Sequence, residues 1–163
     1  MSHQATVVTC SDRADAGIYE DRSGPILVGG LRAAGFSVGE VVVVPDDASA
    51  IAEAVRSAVR QGVRVVLTSG GTGVGPRDVT VEAVRPLLDY ELPGIAETLR
   101  RVGPQPHAML SRGIAGVMTL DGVRAVVVNT PGSTGGARDA VEHVVPAMSH
   151  LVEQLDGGDH GDG

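Results

Sequence analysis

Two aspartates and a run of glycines carry most of the chemistry this sequence can do. Residues 67–80 read LTSGGTGVGPRDVT: an apolar run breaks into Gly70, Gly71, Gly73 and Gly75, and Arg77 and Asp78 follow. Glycines let a backbone close tightly around a bound group. Exposed N–H groups there, beside the hydroxyls of Thr68, Ser69 and Thr72 and ahead of a predicted helix, favour an anion such as a phosphate. Asp46, in Pro45-Asp46-Asp47, follows another predicted strand. A carboxylate beside a phosphate repels it unless a cation stands between them, and Mg²⁺ suits that place because it binds one or two carboxylates together with phosphate oxygens. Arg77 suits a phosphate oxygen. Plainer alternatives stand beside each reading: a tight turn without a ligand, a helix cap for Asp78, a turn residue for Asp46, a solvated Arg77.

Composition removes several other chemistries. All 13 basic residues are arginine. A nucleotide-binding P-loop needs a lysine on the terminal phosphates, and Schiff-base chemistry needs a lysine amine, so neither is available. The dinucleotide pattern G-x-G-x-x-G fails because Pro76 stands where its third glycine would fall. A net charge of −7, one Phe, two Tyr and no Trp argue against a nucleic-acid partner. The single cysteine, Cys10, excludes an intrachain disulfide and a multi-cysteine zinc site, and reads as a small core residue. His107 lies in a Pro-flanked loop and carries no assigned chemistry. No 18-residue apolar run and no signal-peptide pattern is present, so a cytoplasmic protein with no membrane partner is expected.

The elements that must position these residues alternate between strand and helix. Ala5 to Cys10 reads as a strand, followed by a polar loop from Ser11 to Gly24 and a helix with Pro25 in its first turn. Val38 to Val44 has the continuous valine content of a strand buried on both faces. Ile51, Val55 and Val59, four apart, mark an amphipathic helix over residues 48–61. Val63 to Leu67 is a third strand, and a helix from Val79 towards Leu88 is expected, capped by Asp78 or Thr80. Residues 91–101 predict a short helix, and residues 112–129 a hairpin turning at Asp121-Gly122. The last helix is expected to kink or divide at Pro146. The pattern predicts an α/β fold, a three-layer α/β/α sandwich around a mostly parallel sheet, in one domain over residues 1–155 with a disordered acidic tail over 156–163. Ligands of such sheets sit outside the carboxyl ends of the strands. Four segments arrive there: Ser11-Asp12, Pro45-Asp46, the glycine loop, and Asn129 to Ser133.

Together, TSGGTGVGPRDVT, the LPG at 92–94, the LSR at 110–112, NTPGS at 129–133 and SDRADAGIYEDRSGP near the start resemble the MogA/MoaB family of molybdenum-cofactor biosynthesis proteins, whose domain recurs in gephyrin. The resemblance spans roughly residues 5–155. It implies molybdopterin adenylyltransfer, in which ATP and molybdopterin give adenylyl-molybdopterin and pyrophosphate with a divalent cation, Mg²⁺. It implies catalytic and metal roles for Asp46 and Asp78. Substrate or nucleotide contacts fall on Ser11, Asp12, Thr68, Ser69, Gly70, Gly71, Thr72, Gly73, Gly75, Arg77, Asn129, Pro131, Gly132 and Ser133. It further implies a homotrimer, or a hexamer, and a molybdate-inserting enzyme downstream. A molybdopterin-binding carrier or scaffold without turnover is the alternative.

Overall fold

The computed structural model describes residues 2–158. Strand β1 (Gln4–Cys10) is flanked on one side by two short pieces, β2 (Ser37–Val38) and β3 (Val42–Val44), and on the other by β4 (Val65–Ser69). Next come β7 (Val123–Thr130), β6 (Ala115–Leu120) and β5 (Tyr90–Glu91). The pairs β1–β2, β1–β3, β1–β4 and β4–β7 are parallel, and the β5–β6 and β6–β7 pairs are antiparallel. The expected α/β sandwich with a mostly parallel sheet is the observed fold.

Alternation along the strands builds two cores. Val7, Leu67, Val126 and Val128 point to one face, and Val8, Val66, Ala125 and Val127 to the other. A one-turn helix, α1 (Asp12–Asp15), leaves the end of β1 with Ser11 as its cap. The first face is covered by α2 (Ser23–Ala33), α5 (Pro93–Val102), α6 (Thr134–His143) and α7 (Met148–Leu155). The second is covered by α3 (Ala48–Arg60) and the short α4 (Thr80–Val84). Ile51, Val55 and Val59 of α3 are fully buried, each contributing at most about 2 kcal/mol by removal from water. Asp47 caps α3, its carboxylate accepting from the Ala50 N–H at 2.8 Å. Gly30 lets α2 press against α6: a Cβ there would stand 2.4 Å from Val141.

Several local expectations change. The valine run at 38–44 is not a strand buried on both faces. It divides into β2 and β3 at the sheet edge, where Val42 and Val43 are exposed. The helix after the glycine loop is a single five-residue piece followed by a 3-10 turn, and neither Asp78 nor Thr80 caps it. Thr80 is its first residue, and its hydroxyl instead donates to the Gly70 carbonyl at 2.9 Å. The hairpin turns at Asp121-Gly122, both at positive φ, as expected of a type I′ turn. Pro146 divides the last helix into α6 and α7 through a 3-10 turn.

The expected tail begins at Asp156, which closes α7, while residues 159–163 lie outside the described residues. Asp156 accepts from Arg64 at 2.7 and 3.2 Å, and this guanidinium holds its carboxyl below the usual range. A depressed folded-state value stabilises the protein above the unfolded carboxyl value, about 3.9, and that contribution disappears as pH falls through the folded value. Asp156→Asn is therefore expected to cost about 0.5 kcal/mol at pH 7, a figure kept small because the pair is partly solvated. The difference from the wild type should shrink in urea titrations as the pH is lowered below the unfolded carboxyl value of about 3.9.

Candidate functional site

The parallel registers put four strand ends at one rim. Cys10 lies beside Val44, Thr9 beside Ser69, and Ser69 beside Thr130. The segments leaving β1, β3, β4 and β7 therefore meet, as the alternation of elements predicts. Asp12 and Asp46 clasp each other through the main chain: the Asp46 carboxylate accepts from the Asp12 N–H at 3.0 Å, and the Asp12 carboxylate accepts from the Asp46 N–H at 2.9 Å. Arg77 reaches across from the glycine loop, donating to both Asp12 carboxylate oxygens at 3.0 and 3.2 Å and to the Asp46 carbonyl at 3.1 Å. The guanidinium that suits a phosphate oxygen in the sequence is thus engaged by Asp12 in this state.

The charges at this rim are unbalanced. The Asp46 carboxyl is pushed up, first by burial and then by the negative charges of Asp12 and Asp78, whereas Arg77 holds the Asp12 carboxyl below its usual range. Among the described residues no three His, Cys, Asp or Glu side chains converge as a ready metal cage. The Asp46 and Asp78 carboxylates are oxygen donors of the kind a hard cation takes, its shell to be completed by a ligand, and such a cation would offset the negative charges that, after burial, raise Asp46. Cys10 is buried, and burial pushes its thiol up to about 12, so it is no nucleophile at neutral pH.

The glycine loop folds back on itself around Asp78. The Asp78 carboxylate accepts from the Gly75 N–H at 2.9 Å, and a Cβ on Gly73 or Gly75 would sit 2.9 Å from the same oxygen. The Gly70 N–H is committed to the Thr130 carbonyl at 3.1 Å. Among the described residues, no partner takes the N–H groups of residues 71–74, which remain available to an anion. Thr68 and Asn129 are buried and serve the scaffold. The Asn129 amide donates to the Thr68 hydroxyl at 2.9 Å and accepts from the Ile114 N–H at 3.1 Å. Ser133 caps α6 through the Gly136 N–H.

Two cavities flank this rim. The smaller, of about 130 Å³, is of mixed polarity and is lined by Ser11, Tyr19, Asp21, Ser23, Ser69 and Gly70, among others. The larger, of about 330 Å³, is mainly apolar, with Val74, Leu99, Leu110 and Pro131 among its walls. Asp46 and Asp78 line neither cavity. Asp46 is bonded to Asp12, the residue next to Ser11 of the smaller cavity, and Asp78 accepts from Gly75, the residue next to Val74 of the larger. Each carboxylate is thus bonded one residue away from the wall of one chamber.

Four residues around the site have no role in the sequence reading. Asp21 accepts from the Thr9 hydroxyl at 2.8 Å and from the Gly24 N–H at 3.0 Å, shaping the smaller cavity. Asp139 and His107 line the larger one. Arg112, the arginine of the LSR motif, holds the glycine loop in place. Its N–H donates to the Thr72 carbonyl at 2.8 Å, and its guanidinium to the Gly73 carbonyl at 2.8 Å and the Asp78 carbonyl at 3.0 Å. The same guanidinium is paired with Glu82. Only the folded chain reveals this, because the contacts join residues more than thirty positions apart. Arg112→Ala should loosen the loop and lower ligand-dependent activity roughly 10- to 100-fold, from the loss of two side-chain bonds to the main chain. Faster hydrogen exchange at residues 71–75 with little change in the exchange of β1 and β4 would check it.

Comparison with known proteins agrees with this architecture. The chain is 40% identical over 159 residues to the molybdenum cofactor biosynthesis bifunctional protein of Chlorobaculum tepidum, covering 96% of this chain and 50% of that one. It thus spans about half the length of such bifunctional relatives. It is 39% identical to molybdenum cofactor biosynthesis protein B of Bacillus cereus, covering 91% of this chain and 88% of that one. A molybdopterin biosynthesis protein from Mycobacterium abscessus superposes with a TM-score of 0.87 at 44% identity, over 95% of this chain and 97% of that one. MoaB from Thermus thermophilus superposes at 0.84 and 38% identity, over 95% and 97%. Residues 6–150 match the family described as "probable molybdopterin binding domain". The chain belongs to that family of molybdenum-cofactor biosynthesis proteins.

Proposed function

We propose that this protein adenylylates molybdopterin, transferring AMP from ATP to the terminal phosphate of the pterin and releasing pyrophosphate. One observation carries the reading: two carboxylates, Asp46 and Asp78, near enough for the charge of one to raise the other, share a sheet rim with a run of free main-chain amides at residues 71–74 and with two chambers. In the proposed step an oxygen of the pterin phosphate forms a bond to the α-phosphorus of ATP. The bond from that phosphorus to the bridging oxygen of the β-phosphate breaks, and the electron pair leaves with pyrophosphate. A phosphate monoester, with a second pKa of about 6, is already largely dianionic at neutral pH, so no general base is required. This agrees with a rim that offers carboxylates and amides, with Cys10 neutral. Mg²⁺ held by Asp46 and Asp78 would supply neutralisation of the phosphate charge. Asp78 serves the adenylate end, Asp46 orders the phosphates at the reacting centre, and the amides of 71–74 hold phosphate oxygens. A homotrimer or hexamer, and a molybdate-inserting enzyme that consumes the product, belong to the same proposal.

A specific observation favours a second reading, a molybdopterin carrier. The two arginines bonded to the glycine loop and to Asp12 are already engaged, Arg77 by Asp12 and Arg112 by Glu82. Incubation with ATP, Mg²⁺ and molybdopterin separates the two. One pyrophosphate per adenylylated pterin supports the transferase, and pterin retention without pyrophosphate release supports the carrier.

A further inference from the structure

Asp139 stands out among the residues that line the larger cavity. It lies in the second turn of α6, half-buried, and lines a chamber walled by Leu99, Leu110, Val74 and Pro131. Among the described residues it has no hydrogen-bond or ion-pair partner. A carboxylate placed on an apolar wall is strongly favoured by two N–H donors presented side by side. Thr72 lines the same chamber, and its hydroxyl, which is not itself buried, makes no hydrogen bond among the described residues either. The chamber therefore asks for a flat, largely apolar ring with a paired-donor edge and an acceptor.

Both candidate ligands of the proposed reaction contain such a ring, but only one has that edge. A pterin carries a 2-amino-4-oxo pyrimidine, whose ring N–H and amino group are adjacent donors and whose 4-oxo group is an acceptor. Adenine offers a single amino group beside an unprotonated ring nitrogen, which repels a carboxylate. We propose that Asp139 reads the amino edge of the pterin, so that the larger cavity takes the pterin and the smaller one the nucleotide. This rests on the reading of the chain as a molybdopterin adenylyltransferase or carrier, and adds the residue that distinguishes its two substrates. Asp139 is thus a specificity-determining residue, at a distance from Asp46 and Asp78 along the chain and outside their hydrogen-bond network.

The test uses the full chain and two fluorescent probes, neopterin monophosphate and its deaminated 2-oxo counterpart, titrated by fluorescence against the wild type and Asp139→Asn. The wild type should bind the amino probe at least about tenfold more tightly, since the 2-oxo group presents an acceptor to the carboxylate. Asp139→Asn should weaken the amino probe about tenfold or more and abolish the preference, because an amide donates to the 2-oxo group. Its Tm should match the wild type, as Asp139 has no partner to lose. A wild type that binds both probes equally, or neither, overturns the proposal, as does an Asn variant with unchanged preference. Pyrophosphate release measured in parallel keeps the two claims apart. Probe preference without release removes the transferase and leaves Asp139 as the pterin reader of a carrier. Release by the wild type with an indifferent Asn variant removes Asp139 alone.

Discussion

Asp46→Asn is expected to reduce adenylylation by about 100- to 1000-fold while leaving pterin binding and the fold intact. Asparagine keeps the side-chain oxygen that accepts from the Asp12 N–H, so the clasp between the ends of β1 and β3 survives. The negative charge is what disappears. If that charge orders the phosphates and their cation, its loss removes an interaction made most strongly as charge shifts to the leaving pyrophosphate. kcat should fall and KM for the pterin should change little. The Tm should stay within a few degrees of the wild type, because a carboxyl pushed up by burial and by two neighbouring carboxylates gives up repulsion when it is neutralised. Pyrophosphate release at saturating ATP checks the first part, and pterin fluorescence the second.

Gly70→Ala is expected to damage both the fold and the rim. Gly70 has φ +96°, in the region that side-chain-bearing residues rarely adopt, and an added Cβ would stand 2.6 Å from the Cys10 carbonyl oxygen. That oxygen belongs to main chain and cannot swing away. Gly132 packs against the same spot: a Cβ on Gly132 would meet the Gly70 Cα at 3.1 Å. Accommodating alanine thus means separating the ends of β1, β4 and β7. Backbone strain together with this clash should cost about 2–4 kcal/mol, lowering Tm by roughly 5–15 °C in a domain of this size. Activity should fall even at temperatures where the variant is folded, because the rim no longer closes. Gly29→Ala is the matched control. A Cβ there meets nothing within 4 Å, and the helix interior gains from alanine, so its Tm should be equal or higher.

The parts of the fold that were legible in the sequence are those dictated by local periodicity and backbone chemistry. The four-residue spacing of Ile51, Val55 and Val59 marks α3 because nothing else buries one stripe. Asp121-Gly122 marks the hairpin because both positions need positive φ. The valine run at 38–44 misled because β-branched residues favour strands regardless of their place in the sheet, and nothing local distinguishes an edge strand with Val42 and Val43 in water from a central one. Tyr90-Glu91 is too short to show alternation, and forms β5 only because β6 offers it an edge. The rim was legible for a different reason. Once strands are parallel, topology brings their ends together, so Ser11, Asp46, Gly70 and Pro131 could be grouped without any contact information. What each side chain does there depends on partners distant in sequence. Arg77 is taken by Asp12, Thr68 by Asn129, and the glycine loop is tied down by Arg112. Asp139 sits on an ordinary-looking helix turn, and only the cavity beside it makes its lack of a partner informative.

The most direct test of the account is a crystal structure of the protein with ATP, Mg²⁺ and a non-reacting pterin phosphate. The pterin is expected in the chamber beside Asp139, the nucleotide on the side of Ser11 and Ser69, and Mg²⁺ between the phosphates and the carboxylates of Asp46 and Asp78. A nucleotide bound away from this rim, with both carboxylates remote from metal and phosphate, would contradict it.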